Sequence, residues 1–439
     1  MKIRWRQGNT ARLLENGEEY FPRVFEAIRS ARKSVIVETF ILFEDPVGEQ
    51  LRSALIEAAT AGAAVDLIVD GYGSPSFSAG FLGALVDAGV RVQVFDPRRR
   101  LMGLRTNLFR RLHRKVVVVD GRVAFIGGIN FSEDHLAESG SEAKQDYALE
   151  LSGPVVNDVL RSSRVLVGQR AAGEVADDDE ANTSGDICAA FVERDNGRHR
   201  HDIERQYREA IRNARNRIVI ANAYFLPGYR LLRELRNAAR RGVSVRLILQ
   251  GEPDMPSVAA ATRSLYRYLI PAGVEIVEYC TRPFHGKVAL VDGEWLTVGS
   301  SNLDPLSLWL NLEANIVARD RGLNRRLHEK LQKLADDQCR PVAEEDASAG
   351  HWFRPLLGVL LFHFLRYFPR FARSFSASRA SILKVSRDSR QLAEDYPTSV
   401  TDAESGDDSG HAEPSITTRH VPEAESGAGA DISGQRRHA

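Results

Sequence analysis

Two histidines, two lysines, two aspartates and two asparagines recur in this 439-residue chain at matching positions. Residues 113–130 read HRKVVVVDGRVAFIGGIN, and residues 285–302 read HGKVALVDGEWLTVGSSN. In both stretches the lysine follows the histidine by two residues, the aspartate follows the lysine by five, and the asparagine follows the histidine by seventeen. Residues i and i+2 of an extended chain project from one face, so His113 pairs with Lys115 and His285 with Lys287. Asp120 and Asp292 each precede a glycine, which ends the strand in a turn. Between the fixed positions the residues drift freely, RVAFI against EWLTV. Packing alone would not hold exposed polar types while core residues change.

Two histidines meeting across a pseudo-twofold axis suit substitution at phosphorus. One attacks and the other protonates the leaving oxygen, because an imidazole pKa near about 6.5 serves both roles close to neutrality. Lys115, Lys287, Asn130 and Asn302 would hold the non-bridging oxygens and stabilise the charge of the transition state. This chemistry requires no divalent metal and no cofactor, and the sequence offers no carboxylate cluster for a metal.

The elements that position these groups are themselves duplicated. SVIVETFILFED (34–45) is matched by RIVIANAYFLPG (217–228), AGAAVDLIVDGYGSP (61–75) by RGVSVRLILQGEPDMP (241–256), and DAGVRVQVF (87–95) by PAGVEIVEY (271–279), in the same order. Apolar spacing predicts helices near 19–32, 48–61, 79–88, 200–215, 229–240 and 256–270. Short β-branched runs predict strands near 34–41, 64–69, 90–95, 115–119, 217–224, 243–249, 274–278 and 287–291. Alternating strands and helices, with fully apolar strands, point to an α/β fold in two lobes made from one unit used twice. The expected boundaries are a first lobe over 1–170, an acidic linker over 171–187 and a second lobe over 188–345. A basic, apolar segment (346–384) and a disordered polar tail (385–439) follow.

Composition adds few constraints. The formal net charge is zero, and the three cysteines are too few and too scattered for a disulfide framework or a zinc site. The amino terminus has no apolar segment of a secretory signal, and no apolar run approaches the roughly 20 residues needed to span a bilayer.

The doubled motif resembles that of the phospholipase D superfamily, which implies two pseudo-symmetric lobes, each a mixed sheet flanked by helices, with the site at their interface. Further stretches, among them ETFILFEDPVG, MGLRTNLFRRLHRK, AKQDYALEL and VGSSNLDPLSLWLNLEAN, resemble the bacterial cardiolipin synthases within that superfamily. The resemblance implies a covalent phosphohistidine and transfer of a phosphatidyl group from one phosphatidylglycerol to another, releasing glycerol. It implies His113 as nucleophile and His285 as general acid and later base, although the near-equivalence of the motifs leaves the opposite order open. It also implies that Asp146 and Glu313 orient the histidines, with Asp120 and Asp292 completing the two His-Lys-Asp sets or mainly fixing the turns. Water as acceptor, in a phospholipase or nuclease, is the alternative outcome, and a non-catalytic membrane-binding module is a third. Two intact motifs argue against the third.

Two features favour lipid. An insertion in the first copy (96–112) interleaves arginines with leucines beside His113, and Phe109 is its one aromatic residue, too few for stacking nucleic-acid bases. Residues 351–384 carry arginines and aromatic residues but no acid, as an interfacial helix or pair of helices would. The expected partners are anionic phospholipid and a membrane surface, not nucleic acid. The expected location is peripheral, on the cytoplasmic side of the cell membrane. The oligomeric state is left open.

Overall fold

The computed structural model describes residues 3–74, 77–97, 100–101, 104–105, 110–169, 185–251, 256–343 and 382–385. Val35 and Val37 pack into one apolar cluster while Ile36 between them packs into another. Ile218 and Ile220 alternate with Val219 and Ala221 in the same way in the second copy. With the pleat turning successive side chains to opposite faces, both faces of these strands are buried, which is why they read as unbroken apolar runs.

All the long strands belong to one sixteen-stranded sheet whose order is two runs of eight, each the mirror of the other. From one edge inward the strands are Ile382–Lys384, Arg91–Phe95, Ala64–Asp70, Ser34–Thr39, Val116–Val119, Val123–Gly127, Tyr147–Ser152 and Arg6–Glu15. From the other edge they are Cys339–Pro341, Val274–Tyr279, Ser244–Gln250, Arg217–Asn222, Lys287–Val291, Trp295–Gly299, Glu313–Arg319 and Ile187–Arg194. In each run the strands that alternate with helices pair in parallel. The strand after each histidine then enters antiparallel. Arg6–Glu15 and Ile187–Arg194 pair antiparallel and join the two halves.

Helices Asn16–Arg29, Pro46–Thr60 and Ala79–Asp87 cover the outer face of the first half; Asp202–Asn213, Tyr229–Arg240 and Pro256–Leu269 cover that of the second. The inner faces share one cluster with helices Val155–Leu166 and Arg321–Gln338, through Val156, Val159, Leu323, Leu327 and Leu331. This common core makes the two lobes one packed body, so a site between them inherits the rigidity of both.

The predicted helices and strands are present, with ends displaced by at most three residues. The strands Arg6–Glu15, Val123–Gly127, Tyr147–Ser152, Ile187–Arg194, Trp295–Gly299 and Glu313–Arg319, and both central helices, were not among them. Several of these strands are polar at alternate positions, which weakens the apolar-run signal. Residues 382–384 form an edge strand on Arg91–Phe95, and Val385 donates its N–H to Val92 O at 3.0 Å. Those residues are therefore not part of an interfacial helix. The bulk of that segment (346–381), residues 171–184 of the linker, residues 386–439, and residues 98–99, 102–103 and 106–109 of the insertion lie outside the described residues.

Candidate active site

Each histidine stands just ahead of a strand, on backbone tied to the opposite lobe. His113 N–H donates to Leu312 O at 3.0 Å, and Leu312 N–H donates to Arg111 O at 2.8 Å. In the other half, His285 N–H donates to Gln145 O at 2.8 Å and Gln145 N–H to Pro283 O at 2.9 Å. The residue preceding each histidine is held by a side chain at the end of a parallel strand. Asp70 Oδ2 accepts from Leu112 N–H at 2.6 Å, and Gln250 accepts from Phe284 N–H.

These bridges deliver an acid to each ring across the lobe boundary. His113 Nδ1 lies 3.0 Å from the Glu313 carboxylate, and His285 Nδ1 lies 2.6 Å from Asp146 Oδ2. Each acid sits at or next to the start of a strand that follows its own lobe's histidine, yet it serves the other lobe's histidine. A carboxylate at Nδ1 keeps the proton there and leaves the Nε2 lone pair for reaction.

Lys115 is 1 % exposed and Lys287 fully buried, and each ammonium donates to the carbonyl of its own histidine, Lys115 at 2.9 Å. Arg114, between His113 and Lys115, turns the other way to pair with Glu38 at 2.7 Å, as the two-residue alternation requires. Burial, then the charge of Lys287, lowers Lys115 to about 7; burial lowers Lys287 to about 8. Burial also lowers His113 to about 4, with Lys115 and Lys287 adding to the effect, and pushes His285 well below its ordinary value, with Lys287, Lys144, His135 and Lys115 adding. That each lysine acts on both histidines shows that the two motifs share one site. The two buried lysines oppose each other's charge, which suits the site to negative charge.

Both asparagines are buried. Asn130 Oδ1 accepts from Ile41 N–H at 3.2 Å, while Asn130 Nδ2 and Asn302 Oδ1 have no hydrogen-bond partner among the described residues. Asp120 and Asp292 stand elsewhere. Each follows the far end of its strand, four to five residues on at roughly 3.3 Å per residue. Each has φ of 52°. Asp120 accepts the N–H groups of Arg32, Lys33 and Ser34, and Asp292 those of Arg215, Asn216 and Arg217. Their grouping with the reacting residues is corrected accordingly: they tie the start of the neighbouring strand to the turn.

Residues outside the repeated motif complete the walls. The Phe40 ring is tilted 57° to that of His113 with centroids 5.0 Å apart, and it lies 5.1 Å from Lys115 Nζ. Arg111 lies over Tyr72 at 3.7 Å and 5.8 Å from the Phe40 ring. Ser300 Oγ donates to Glu313 at 2.5 Å. His135 is fully buried with its ring centroid 5.6 Å from that of His285. Internal comparison could not single out His135, because Ser307 occupies the matching position of the second copy.

Comparison with known proteins agrees with the duplication. Residues 24–162 and 207–335 match the family described as "Cardiolipin synthase, PLD-like domain". The chain is 52% identical over 374 residues to "Cardiolipin synthase B" of Salmonella typhi, covering 84% of this chain and 91% of that one, and equally so to its namesake in Escherichia coli strain K12. It is 34% identical over 367 residues to "Cardiolipin synthase A" of Pseudomonas fluorescens, covering 79% and 73%. Among solved structures, phosphatidylserine synthase of Haemophilus influenzae superposes with a TM-score of 0.62 at 12% identity, covering 85% of this chain and 97% of that one. At that identity the likeness is one of fold.

Proposed function

This chain belongs to the cardiolipin synthase family of PLD-like domains, and from that premise we propose that it makes cardiolipin by transferring a phosphatidyl group from one phosphatidylglycerol to the hydroxyl of a second, releasing glycerol. The observation that carries the mechanism is the crossed pair of His–carboxylate contacts at one buried lysine cluster. His113 Nε2 attacks phosphorus and the P–O bond to glycerol breaks. The departing oxygen takes its proton from His285, leaving phosphatidyl-His113. The acceptor hydroxyl then gives its proton to His285 and attacks phosphorus, and the P–N bond breaks. Glu313 and Asp146 hold the rings and offset imidazolium charge as it forms. The two lysines and the buried asparagines receive the non-bridging oxygens.

His285 takes up from solvent, as substrate binds, the proton that it must donate. Burial and the lysines disfavour the protonated form of both imidazoles. A bound phosphodiester anion cancels part of that positive field, which raises the affinity of the acid histidine for a proton. No helix among the described residues is long and apolar enough to cross a membrane. Peripheral attachment on the cytoplasmic side, through the basic, apolar stretches of 96–112 and 346–381, is the reading that the sequence supports.

Vesicles containing labelled phosphatidylglycerol test this directly, with wild type and His113→Ala side by side. Cardiolipin and free glycerol from the wild type alone support the transferase. Phosphatidic acid in place of cardiolipin would identify a hydrolase, and no lipid product at all would remove the lipid reading.

A further inference from the structure

The two His-x-Lys segments are backed by different chemistry. Between His285 and Lys287 stands Gly286, where a Cβ would meet Phe284 and Tyr147, and Ala221 of the neighbouring strand belongs to the shared apolar core. Between His113 and Lys115 stands Arg114, 4 % exposed, and the residue matching Ala221 is the fully buried Glu38. The Glu38 carboxylate lies 2.7 Å from Arg114 Nε and accepts from Nη2 at 3.2 Å. At its other end the guanidinium donates from Nη1 to Ser162 Oγ at 2.9 Å and to Glu193 at 3.4 Å, and Ser162 Oγ donates to Glu193 at 2.5 Å. Glu193 belongs to the second lobe, where its strand partner is Ala314, the neighbour of Glu313.

We infer that Arg114 is a positioning residue: held by Glu38 and reaching Glu193 across the lobe boundary, it sets the spacing between His113 and the Glu313 carboxylate. This rests on the reading of His113 and Glu313 as a reacting pair and adds a residue that touches neither substrate nor ring.

Three observations support it. The fold does not need a charge at this place, because the second half holds the matching backbone with apolar packing. A buried ion pair gives up the hydration of two charges, and apolar groups of similar volume often leave a protein as stable or more so. Burial accordingly pushes Glu38 up, against the pull of Arg114. Secondly, the planar fork of an arginine fixes two groups at once, here a strand of the first lobe and a strand of the second. Lastly, Arg114 is flanked in the chain by the two residues that must be placed. The ring of His113 meets Glu313 at 3.0 Å, and a shift of about 1 Å in such a contact costs on the order of 10²-fold in rate.

The double variant Glu38→Leu/Arg114→Met removes both buried charges, so neither is left unpaired. Its thermal midpoint should stay within about 3 °C of wild type or rise, while kcat for cardiolipin falls about 10- to 100-fold and KM stays within about threefold. The Nδ1–H proton signals of His113 and His285 report the two acid contacts by NMR, without lipid or turnover. The His113 signal should shift in the double variant and the His285 signal should hold. Glu193→Gln keeps the Glu38–Arg114 pair and should shift the His113 signal too, with kcat lower by about three- to tenfold. An unmoved His113 signal, equal shifts of both signals, or activity lost only in step with stability would make Arg114 a structural residue and overturn the inference. Should the double variant not fold, Glu193→Gln decides by the same signals. A wild type that forms no cardiolipin would remove the proposed reaction, and the NMR comparison would still judge the positioning.

Discussion

Around His113 stand Glu313, Ser300 and Phe40; around His285 stand Asp146, Gly128 and His135. The backbone beneath is the same in both halves, down to the N–H of Gly128 donating to Tyr147 O at 3.1 Å and that of Ser300 to Ala314 O at 3.0 Å. The carboxylates differ by one methylene, and the residues beside them differ in compensation. The shorter Asp146 places its carboxylate where a Cβ on Gly128 would collide with it. The longer Glu313 leaves that space, and the Ser300 side chain fills it and donates to the acid. Their ionisation diverges too. Burial pushes Asp146 up to about 6, whereas at Glu313 the same burial is more than offset by His113, Lys115 and Ser300, which hold it below the usual carboxylate range. A duplicated unit thus supplies two histidines with one geometry and two environments, as a reaction with one nucleophile and one acid requires.

The strongest way to break the comparison is to remove one ring at a time. His113→Ala and His285→Ala should each lower cardiolipin formation on the order of 10⁴-fold or more. With labelled donor, only the variant that retains the nucleophile should yield a protein-bound phosphatidyl group, so a covalent label on His113→Ala would reverse the assigned roles. Next come the acids: Glu313→Gln and Asp146→Asn should each cost on the order of 10²-fold in kcat, the scale expected when a reacting group loses its orientation. Gly128→Ser should approach the Asp146→Asn loss, because the added side chain displaces that carboxylate. Ser300→Gly removes one hydrogen bond to a charged group, about 1.5–3 kcal/mol at most, and should cost roughly tenfold. Comparable losses from these last two would show that the half-sites are equivalent after all.

Asp120→Asn and Asp292→Asn separate turn from site. Rates should stay within about twofold while the folded state loses about 2 kcal/mol, read as a lower midpoint in thermal or urea unfolding. For Asp120, burial pushes the carboxyl up and the three backbone N–H groups more than offset it, so its pKa is lowered on folding. The stability it contributes is therefore present above the unfolded value near about 3.9 and is lost as the pH falls below it. The gentlest test needs no substitution: the His113 imidazole should titrate near 4 in the free protein, below the ordinary 6.5, and move upward when an oxyanion such as tungstate fills the site, followed by NMR.

Much of this was legible because the chain states it twice. Apolar runs located the inner strands, and fixed spacing separated His113, Lys115, Asn130 and their partners from drifting neighbours. What lacked a second copy stayed silent: His135 faces Ser307, and Phe40 faces Ala223, so repetition could not mark them. Asp120 and Asp292 were misleading for the opposite reason. A structural turn is repeated as faithfully as a reacting group, and spacing does not distinguish them.

The sequence by itself determined the duplicated α/β unit and the set of chemical groups, because strand alternation and turn chemistry act within a few residues of one another. Only the tertiary structure decided which acid serves which histidine. His113 and Glu313 are 200 residues apart and His285 and Asp146 are 139 apart. Each pairing is made by the antiparallel joining of two lobes, which carries the strand of one across to the ring of the other. A contact of that kind depends on where two distant strands meet, and local pattern holds no record of it.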